Sequence, residues 1–538
     1  MKMTTIVARR LNLAGLRGSA RGILSSAVLA AMAVSAPIAG WSQDVQRGGE
    51  VVQAEWIAVP SLDPHLSSAV NSYVWPNLFD GLFTYTPPQE EGGTYTTGPG
   101  LAASIEREGD GVIVVQLREG VSFHDGTPVN AEAIKWNLER ARDHELSTRK
   151  DAVANLESVE VVDDLTVKLT FTEEQPLFEV LFSSANPANI YFVSPTAAEQ
   201  VGDEAFGRAP VGSGPFKLVE FRADDRMEMV ANEAYWAEGL DGEPLPYVDA
   251  LTIRFVPNQS VGAVELRAGS IHVAELLETD VLTLKDDPNV KLYEVPLTDK
   301  GYPSFYMASN PDLDTPFAQD VRLRRAVQHA INREAMAKVV GLGAAVAEYH
   351  WGWYPGVPGY DESLPRYEYD PDKARELLAE AGYPDGISLE VKVINRPRDV
   401  KPLEIMQAML AEVGIDLSIN LMDRTPWIDA GRAGNFEALS HGNTADVEPL
   451  MRQTTKTGSS SNWANFSSAE IDKLWEDAAQ ATSMDERAEI YREMQRIMHE
   501  EAVHLVAYRI PTVLGYAANL HGLDQTAGLG MHHVWLEQ

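Results

Sequence analysis

Between Leu389 and Leu421 the chain spells out a strand, a helix and a second strand, an order that points to an α/β fold. Leu389, Val391 and Val393 alternate with polar residues, Leu403 to Val413 reads as a helix stopped by Gly414, and Leu417, Ile419 and Leu421 alternate again. Two strands joined through a helix pair in parallel, with the helix as crossover. The same half carries further helix signals. Asp320 is placed to cap a helix bearing Val321, Leu323, Ala326, Val327, Ala330 and Ile331. Asp370-Pro371 supplies an N-cap and a first-turn proline, with Gly382 as the stop. A late amphipathic helix from Met484 to Glu500 precedes an apolar strand, Val503 to Tyr508.

The N-terminal half is richer in strands. Gly111 to Arg118 is a β-rich run, and Asn130 is placed to cap the helix that follows it. Val159 to Phe171 reads as a hairpin turning at Asp163-Asp164, with Leu165, Val167, Leu169 and Phe171 on one face. A chain of 538 residues is too long for one compact core, so the pattern predicts two lobes built around separate sheets.

Residues 1–42 have the layout of a secretory leader: Lys2, Arg9, Arg10, Arg17 and Arg21, then an apolar centre at Ile23 to Val34, with cleavage expected after Ser42. Arg9-Arg10 leaves general and twin-arginine export both open. There is no cysteine, which removes disulfides, thiolate metal sites, cysteine nucleophiles and a lipid-accepting thiol. A formal charge of −35 argues against nucleic acid or anionic lipid as partner. Periplasmic delivery without an anchor is the expected destination.

Catalytic and cofactor motifs are sparse. There is no P-loop, and Val211-Gly212-Ser213-Gly214-Pro215 lacks the spacing of a nucleophile elbow and reads as a structural turn. His499 and His504 stand five apart, off a common helical face, so no metal or other cofactor is expected. His532-His533, near the C-terminus, is expected to face solvent. Aromatic residues gather in turn-rich segments instead: Asn71, Tyr73 and Trp75 early, then Trp351, Trp353 and Tyr354, then Trp427 after Arg424. Such residues line small-molecule clefts or pack cores.

Several separated motifs resemble the family 5 extracellular solute-binding proteins of ABC importers, the dipeptide, oligopeptide and nickel receptor group. They are Gly48-Gly49-Glu50 with Ser61-Leu62-Asp63-Pro64, Asn77 to Leu82, and Gly100-Leu101-Ala102 with Leu117 to Gly126. Pro210 to Phe216, Asn232 to Trp236, Val321 to Ala326, and Asp370 to Ala374 with Leu377 to Gly382 follow in order. The resemblance implies an α/β, two-lobed periplasmic-binding-protein-like clamp of class II type with an extra inserted α+β subdomain. Lobe I would comprise 43–88, 208–297 and 507–538, the inserted subdomain 89–207, and lobe II 298–506.

It also implies a monomeric, non-enzymatic receptor that passes a small-molecule or short-peptide ligand to ABC permease subunits. Peptide-binding relatives carry an acid on the segment after a second-lobe strand. Here that segment is Leu439 to Pro449, and the expected position falls on Ala445, one residue before Asp446. An oligosaccharide or opine receptor of the same fold is the alternative, and an extracellular hydrolase the alternative of another class. The candidate ligand-binding residues are Asn71, Tyr73, Trp353, Tyr354, Arg396, Arg424, Trp427, His441, Gly442, Asn443 and Asp446, with Arg396 and Arg424 suited to a carboxylate.

Overall fold

The computed structural model describes residues 45–537 apart from 57, 68–73, 87–95, 110, 176–177, 184–188, 310–312, 343–344, 356–357, 435, 445–447, 460–461, 482–483 and 527–529. The expected leader lies outside these residues. Strand β1 (Glu50–Glu55) is followed by a small antiparallel sheet of β2 (Ala102–Gly109), β3 (Val112–Leu117), β4 (Leu156–Asp163) and β5 (Thr166–Phe171), in the order β2-β3-β5-β4. The β4–β5 hairpin turns where Asp163 Oδ1 accepts from the Leu165 amide at 2.9 Å. Alternation puts Val167, Leu169 and Phe171 in one core with Ile113, Val115 and Leu117. Helix α1 (Ala131–Asp143), capped by Asn130 accepting from Ala133 N at 3.0 Å, adds Ile134 and Leu138 to that core.

The main sheet uses β6 (Phe216–Arg222), β7 (Arg226–Ala231), β8 (Ala250–Phe255), β9 (Val273–Leu276), β10 (Val290–Met307), β11 (Ile387–Ile394), β12 (Ile415–Met422), β13 (Ala438–Thr444) and β14 (His504–Ala517). Their order is β12-β11-β13-β10-β14-β9-β1-β8-β7-β6. Strand β11 is parallel to β12 and β13, and β1 is parallel to β8 and β9. Two lobes built around separate sheets were expected; β2–β5 do form a sheet of their own, but the main sheet runs as one sheet from the β11–β13 half to the β1–β8 half. The reason is β10 and β14, of 18 and 14 residues, which run through both halves. The expected Val503–Tyr508 strand is the first part of β14. It continues because its second half, Val513 to Tyr516, finds a further partner in β9.

The β10–β14 ladder breaks in the middle. Val295 pairs with Thr512, yet the next pair is Lys300 with Ile510. Pro296 and Pro511 both fall in this gap. Proline has no amide hydrogen to donate, so neither side can carry the ladder through. The sheet is therefore weakest in hydrogen bonding at the level where its two halves meet.

Helices α2 (Gln259–Arg267), α3 (Val321–Ala330), α4 (Pro371–Glu380), α5 (Pro397–Val413), α6 (Arg424–Arg432), α7 (Glu448–Thr455) and α8 (Met484–Glu500) cover the faces. Asp320 and Asp370 cap α3 and α4 as the sequence predicts. Gly414, at φ +94°, ends α5 in the left-handed region where a Cβ is disfavoured. The start of α5 differs from expectation: it begins at Pro397, not Leu403, and takes Pro402 inside. Pro397 occupies the first helical position, where its missing amide hydrogen costs nothing, and Asp399 in that turn accepts from Arg396. Leu323, Leu377, Leu403, Met406, Leu389 and Val391 share one core of this half. Trp353, Trp427, Trp475 and Met494 share another.

Buried polar groups hold the Asp80 segment against the turns that flank β6 and β7. Asp80 is buried and accepts from Ser213 Oγ at 2.8 Å, Tyr235 OH at 2.9 Å and Trp236 Nε1 at 3.3 Å. A Cβ on Gly212 would lie 2.1 Å from Leu78 O, and one on Gly214 2.5 Å from Leu78 C, so the Gly-Ser-Gly turn needs both glycines. That turn positions a hydrogen-bond donor, in keeping with its structural reading. Asp80→Ala strips two buried donors and the half-buried Trp236 indole of their acceptor and is expected to cost about 1–3 kcal/mol, read by urea unfolding of the purified protein. An unchanged midpoint would overturn that account. His532 and His533 are half-buried, contrary to expectation. Their rings pack edge-on against Tyr235 at 6.4 Å and Tyr247 at 6.3 Å, because the C-terminal segment folds back over the Tyr235–Tyr247 region.

Candidate ligand-binding site

The carboxyl ends of the parallel strands converge. Strands β11, β12 and β13 end at Ile394, Met422 and Thr444, and Thr444 pairs with Lys300 at the edge of the ladder break. On the other side β1, β8 and β9 end at Glu55, Phe255 and Leu276, and Leu276 pairs with Val513 just beyond the same break. Ligand sites in open α/β sheets lie outside the carboxyl ends of strands, where loops and helix N-termini meet. Here two such edges border one crossover.

On the β11–β13 edge, Arg396 is the N-cap of α5 and its Nε donates to Asp399 Oδ2. Arg424 is the first residue of α6 and is exposed. The end of β13 carries His441, Gly442 and Asn443 in the backbone of the sheet, and α7 begins at Glu448. The starts of α5, α6 and α7 each carry partial positive charge at this edge. Topology thus brings Arg396, Arg424 and the 441–443 segment to one rim. Asn71, Tyr73 and Asp446 lie outside the described residues.

The aromatic candidates sit deeper. Trp353 and Tyr354 are each 1% exposed and Trp427 7%. Trp427 meets Trp463 edge-on at 5.2 Å, and Trp351 stacks on His504 at 3.8 Å. Gln495, His350, His499 and Trp353 help line a cavity of about 20 Å³ beside them, room for about one water. Burial holds His350 and His499 at about 4, hence neutral at pH 7. No group of three His, Cys, Asp or Glu side chains suited to a metal ion occurs among the described residues.

The opposite rim holds residues that sequence reasoning missed. Glu55 ends β1 and accepts from Gln53 Nε2 at 2.6 Å. Glu275 on β9 accepts from Trp56 Nε1 at 3.2 Å and Gln259 Nε2 at 3.3 Å. The available signal was Gln53, a polar residue beside Val51 on the buried face of β1.

One described side-chain link also runs from the β11–β13 half to the small sheet: Arg452 Nη1 on α7 meets Glu173 Oε1, just past β5, at 3.1 Å.

Known proteins resemble this chain in sequence and in fold. The description "bacterial extracellular solute-binding proteins, family 5 Middle" matches residues 96–465. The glutathione-binding protein GsiB of Shigella flexneri is 30% identical over 496 residues, covering 88% of this chain and 91% of that protein. GsiB of Salmonella typhi is 29% identical over 518 residues, covering 92% and 95%. Among solved structures, the periplasmic binding protein DppA from Helicobacter pylori, in complex with peptide STSA, superposes with a TM-score of 0.78 at 24% identity, covering 92% of this chain and 99% of that one. AppA from Bacillus subtilis, in complex with a nonapeptide, gives 0.74 at 21%, covering 92% and 100%. With its family-specific sequence match and its two-lobed α/β fold, the chain belongs to family 5 of the bacterial extracellular solute-binding proteins.

Proposed function

We propose that this chain is the periplasmic receptor of an ABC importer, capturing a short peptide or similar small polar solute between two lobes and delivering it to the permease, with no catalytic role of its own. Lobe I comprises 43–88, 208–297 and 507–538, lobe II 298–506, and 89–207 is the inserted subdomain. The carrying observation is the meeting of two sets of strand carboxyl ends at a ladder interrupted by Pro296 and Pro511. Two strands with a broken ladder flex more readily than a paired sheet, so the lobes rock about this level. Arg396 and Arg424, helped by the helix N-termini beside them, hold the ligand's carboxylate. Asn71, Tyr73, His441, Gly442, Asn443 and Asp446 supply polar contacts, and Trp353, Tyr354 and Trp427 form the wall behind them.

Closure requires a ligand that binds the closed state more tightly than the open one. Tripeptides, glutathione among them, are expected to raise the unfolding temperature of the mature protein and reduce its radius of gyration in solution scattering. A hundredfold excess over Kd adds about 2.7 kcal/mol of stability. Stabilisation by oligosaccharides or opines alone would move the ligand to those classes. Turnover of a bound ligand would overturn the non-catalytic reading, and identical scattering with and without a stabilising ligand would overturn the clamp.

A further inference from the structure

We infer that Arg452 and Glu173 form a latch that holds the two lobes together in the closed receptor; this rests on the receptor reading above. Arg452 belongs to lobe II, on α7, and Glu173 to the inserted subdomain, two residues past β5. Arg452 Nη1 donates to Glu173 Oε1 at 3.1 Å. The subdomain joins the rest of the chain at both ends through lobe I. Rocking at the level of Pro296 and Pro511 therefore carries Arg452 away from Glu173, and the pair exists in one position of the lobes and not in the other.

Ion pairs between partly exposed side chains usually add little, because two long side chains must be ordered for one contact. Here both are already mounted. Glu173 Oε1 also accepts from Asn155 Nδ2, and the Asn155 carbonyl accepts from the Thr172 amide at 2.8 Å. Gln175 Nε2 donates to the Glu173 carbonyl at 3.2 Å, and a Cβ on Gly111 would lie 2.9 Å from that same oxygen, so the backbone at Glu173 is closely packed. On the other side, α7 is fixed by its inner face. Met451, Thr454 and Thr455 are buried, and Thr455 Oγ1 accepts from Trp475 Nε1 at 2.9 Å while donating to the Met451 carbonyl at 2.7 Å. Arg452 and Glu173 themselves stay half-buried, so solvent screens their attraction only in part. Helix α7 also starts shortly after β13, whose end carries His441, Gly442 and Asn443. A ligand held there and the ion pair act on the same stretch of lobe II, so occupancy and latching favour the same closed state.

The chain has no cysteine, so spin labels at Glu157→Cys on β4 and Lys456→Cys just past α7 report the separation across this contact alone. Pulsed electron-resonance distances on the full mature protein, with and without glutathione or trialanine, compare the parent with Glu173→Arg, Arg452→Glu and the charge-swapped double variant. Each single reversal is expected to shift the population to the longer distance and to weaken peptide binding by about fivefold, the upper end for a pair this exposed. The double swap is expected to return both readouts to within about twofold of the parent. Such recovery is something a merely structural role for either residue would not give, and cooperative unfolding of each labelled variant confirms its fold. Identical distances in the parent and the single reversals, or a loss that the swap does not recover, overturn the latch while leaving the receptor reading intact. If neither peptide changes the distance in the parent, the receptor reading fails for these probes, and the unliganded distances of the reversals and the swap still decide the latch.

Discussion

Arg140→Ala is expected to lower the unfolding free energy by about 3–5 kcal/mol, the scale of a buried charge left without its partner. Arg140 lies on α1 and is 9% exposed; Asp63 is 1% exposed and His65 fully buried. Its Nη1 donates to Asp63 Oδ1 at 3.1 Å and lies 3.0 Å from His65 Nδ1. Its Nη2 donates to Asp63 Oδ2 at 2.7 Å and Asp203 Oδ1 at 2.9 Å. His65 Nε2 lies 2.9 Å from the Tyr191 carbonyl, which can only accept, so the proton sits on Nε2 and Nδ1 accepts from Arg140. Removing the guanidinium therefore strands a buried carboxylate and a ring nitrogen together. Arg140→Lys keeps the charge but loses the planar fork, and an intermediate loss is expected. The Asp63→Asn, Arg140→Met double variant is expected to be more stable than Arg140→Ala, since neither group is then a lone buried charge. Urea unfolding at constant m measures all three; a loss below about 1 kcal/mol for Arg140→Ala would place this cluster with ordinary surface ion pairs.

Asp63 also marks where sequence reading reached and where it stopped. The Ser61-Leu62-Asp63-Pro64 motif was legible as part of the family resemblance, but its partner Arg140 is 77 residues away and nothing local announces the pair. The same division runs through the fold. Helix caps at Asn130, Asp320 and Asp370 and the stop at Gly414 are local chemistry, so they were readable. That β10 and β14 would run through both halves depends on pairs from Tyr306–His504 to Val290–Ala517, about two hundred positions apart. Pro296 and Pro511 become meaningful when that pairing sets them at the same level. At the site, Arg396 and Arg424 were visible because each directly follows a readable strand. Glu55 and Glu275 were not, being brought side by side by a β1–β9 pairing across 220 residues. Trp353, Tyr354 and Trp427 show another limit: an aromatic in a turn-rich segment reads alike whether it lines a cleft or, as their burial has it, packs behind one.

Stability is expected to fall steeply as pH drops from about 6.5 towards 4, because the fold holds many histidines neutral. Burial pushes His65, His124, His350, His499 and His533 down to about 4, and His532 well below its ordinary value. The same side chains titrate near 6.5 in the unfolded chain. Between those limits the unfolded state binds more protons than the folded one. The stabilisation is thus complete above about 6.5 and lost as pH falls through 4, at about 1.4 kcal/mol per pH unit for each proton of difference. Two effects oppose it. Burial raises Asp80 to about 6 and also raises Glu348, so both favour the fold as they protonate. Acidification also relieves the self-repulsion of a chain with formal charge −35. Asp241 and Asp320, held low by Arg47 and Arg322, add to the loss below about 4, outside this window. Burial lowers His272 as well, and seven histidines against two buried acids leave the histidines in command, with a net uptake of protons on unfolding near pH 5. Urea unfolding at pH 7, 6, 5 and 4.5 measures this slope. His533→Gln, which keeps a polar group of similar reach beside Tyr247, is expected to reduce it by about one proton. A stability that stays flat from pH 7 to 5 would mean that these rings take up protons inside the folded protein, with water reaching Nδ1 of His532 and His533 and both ring nitrogens of His350.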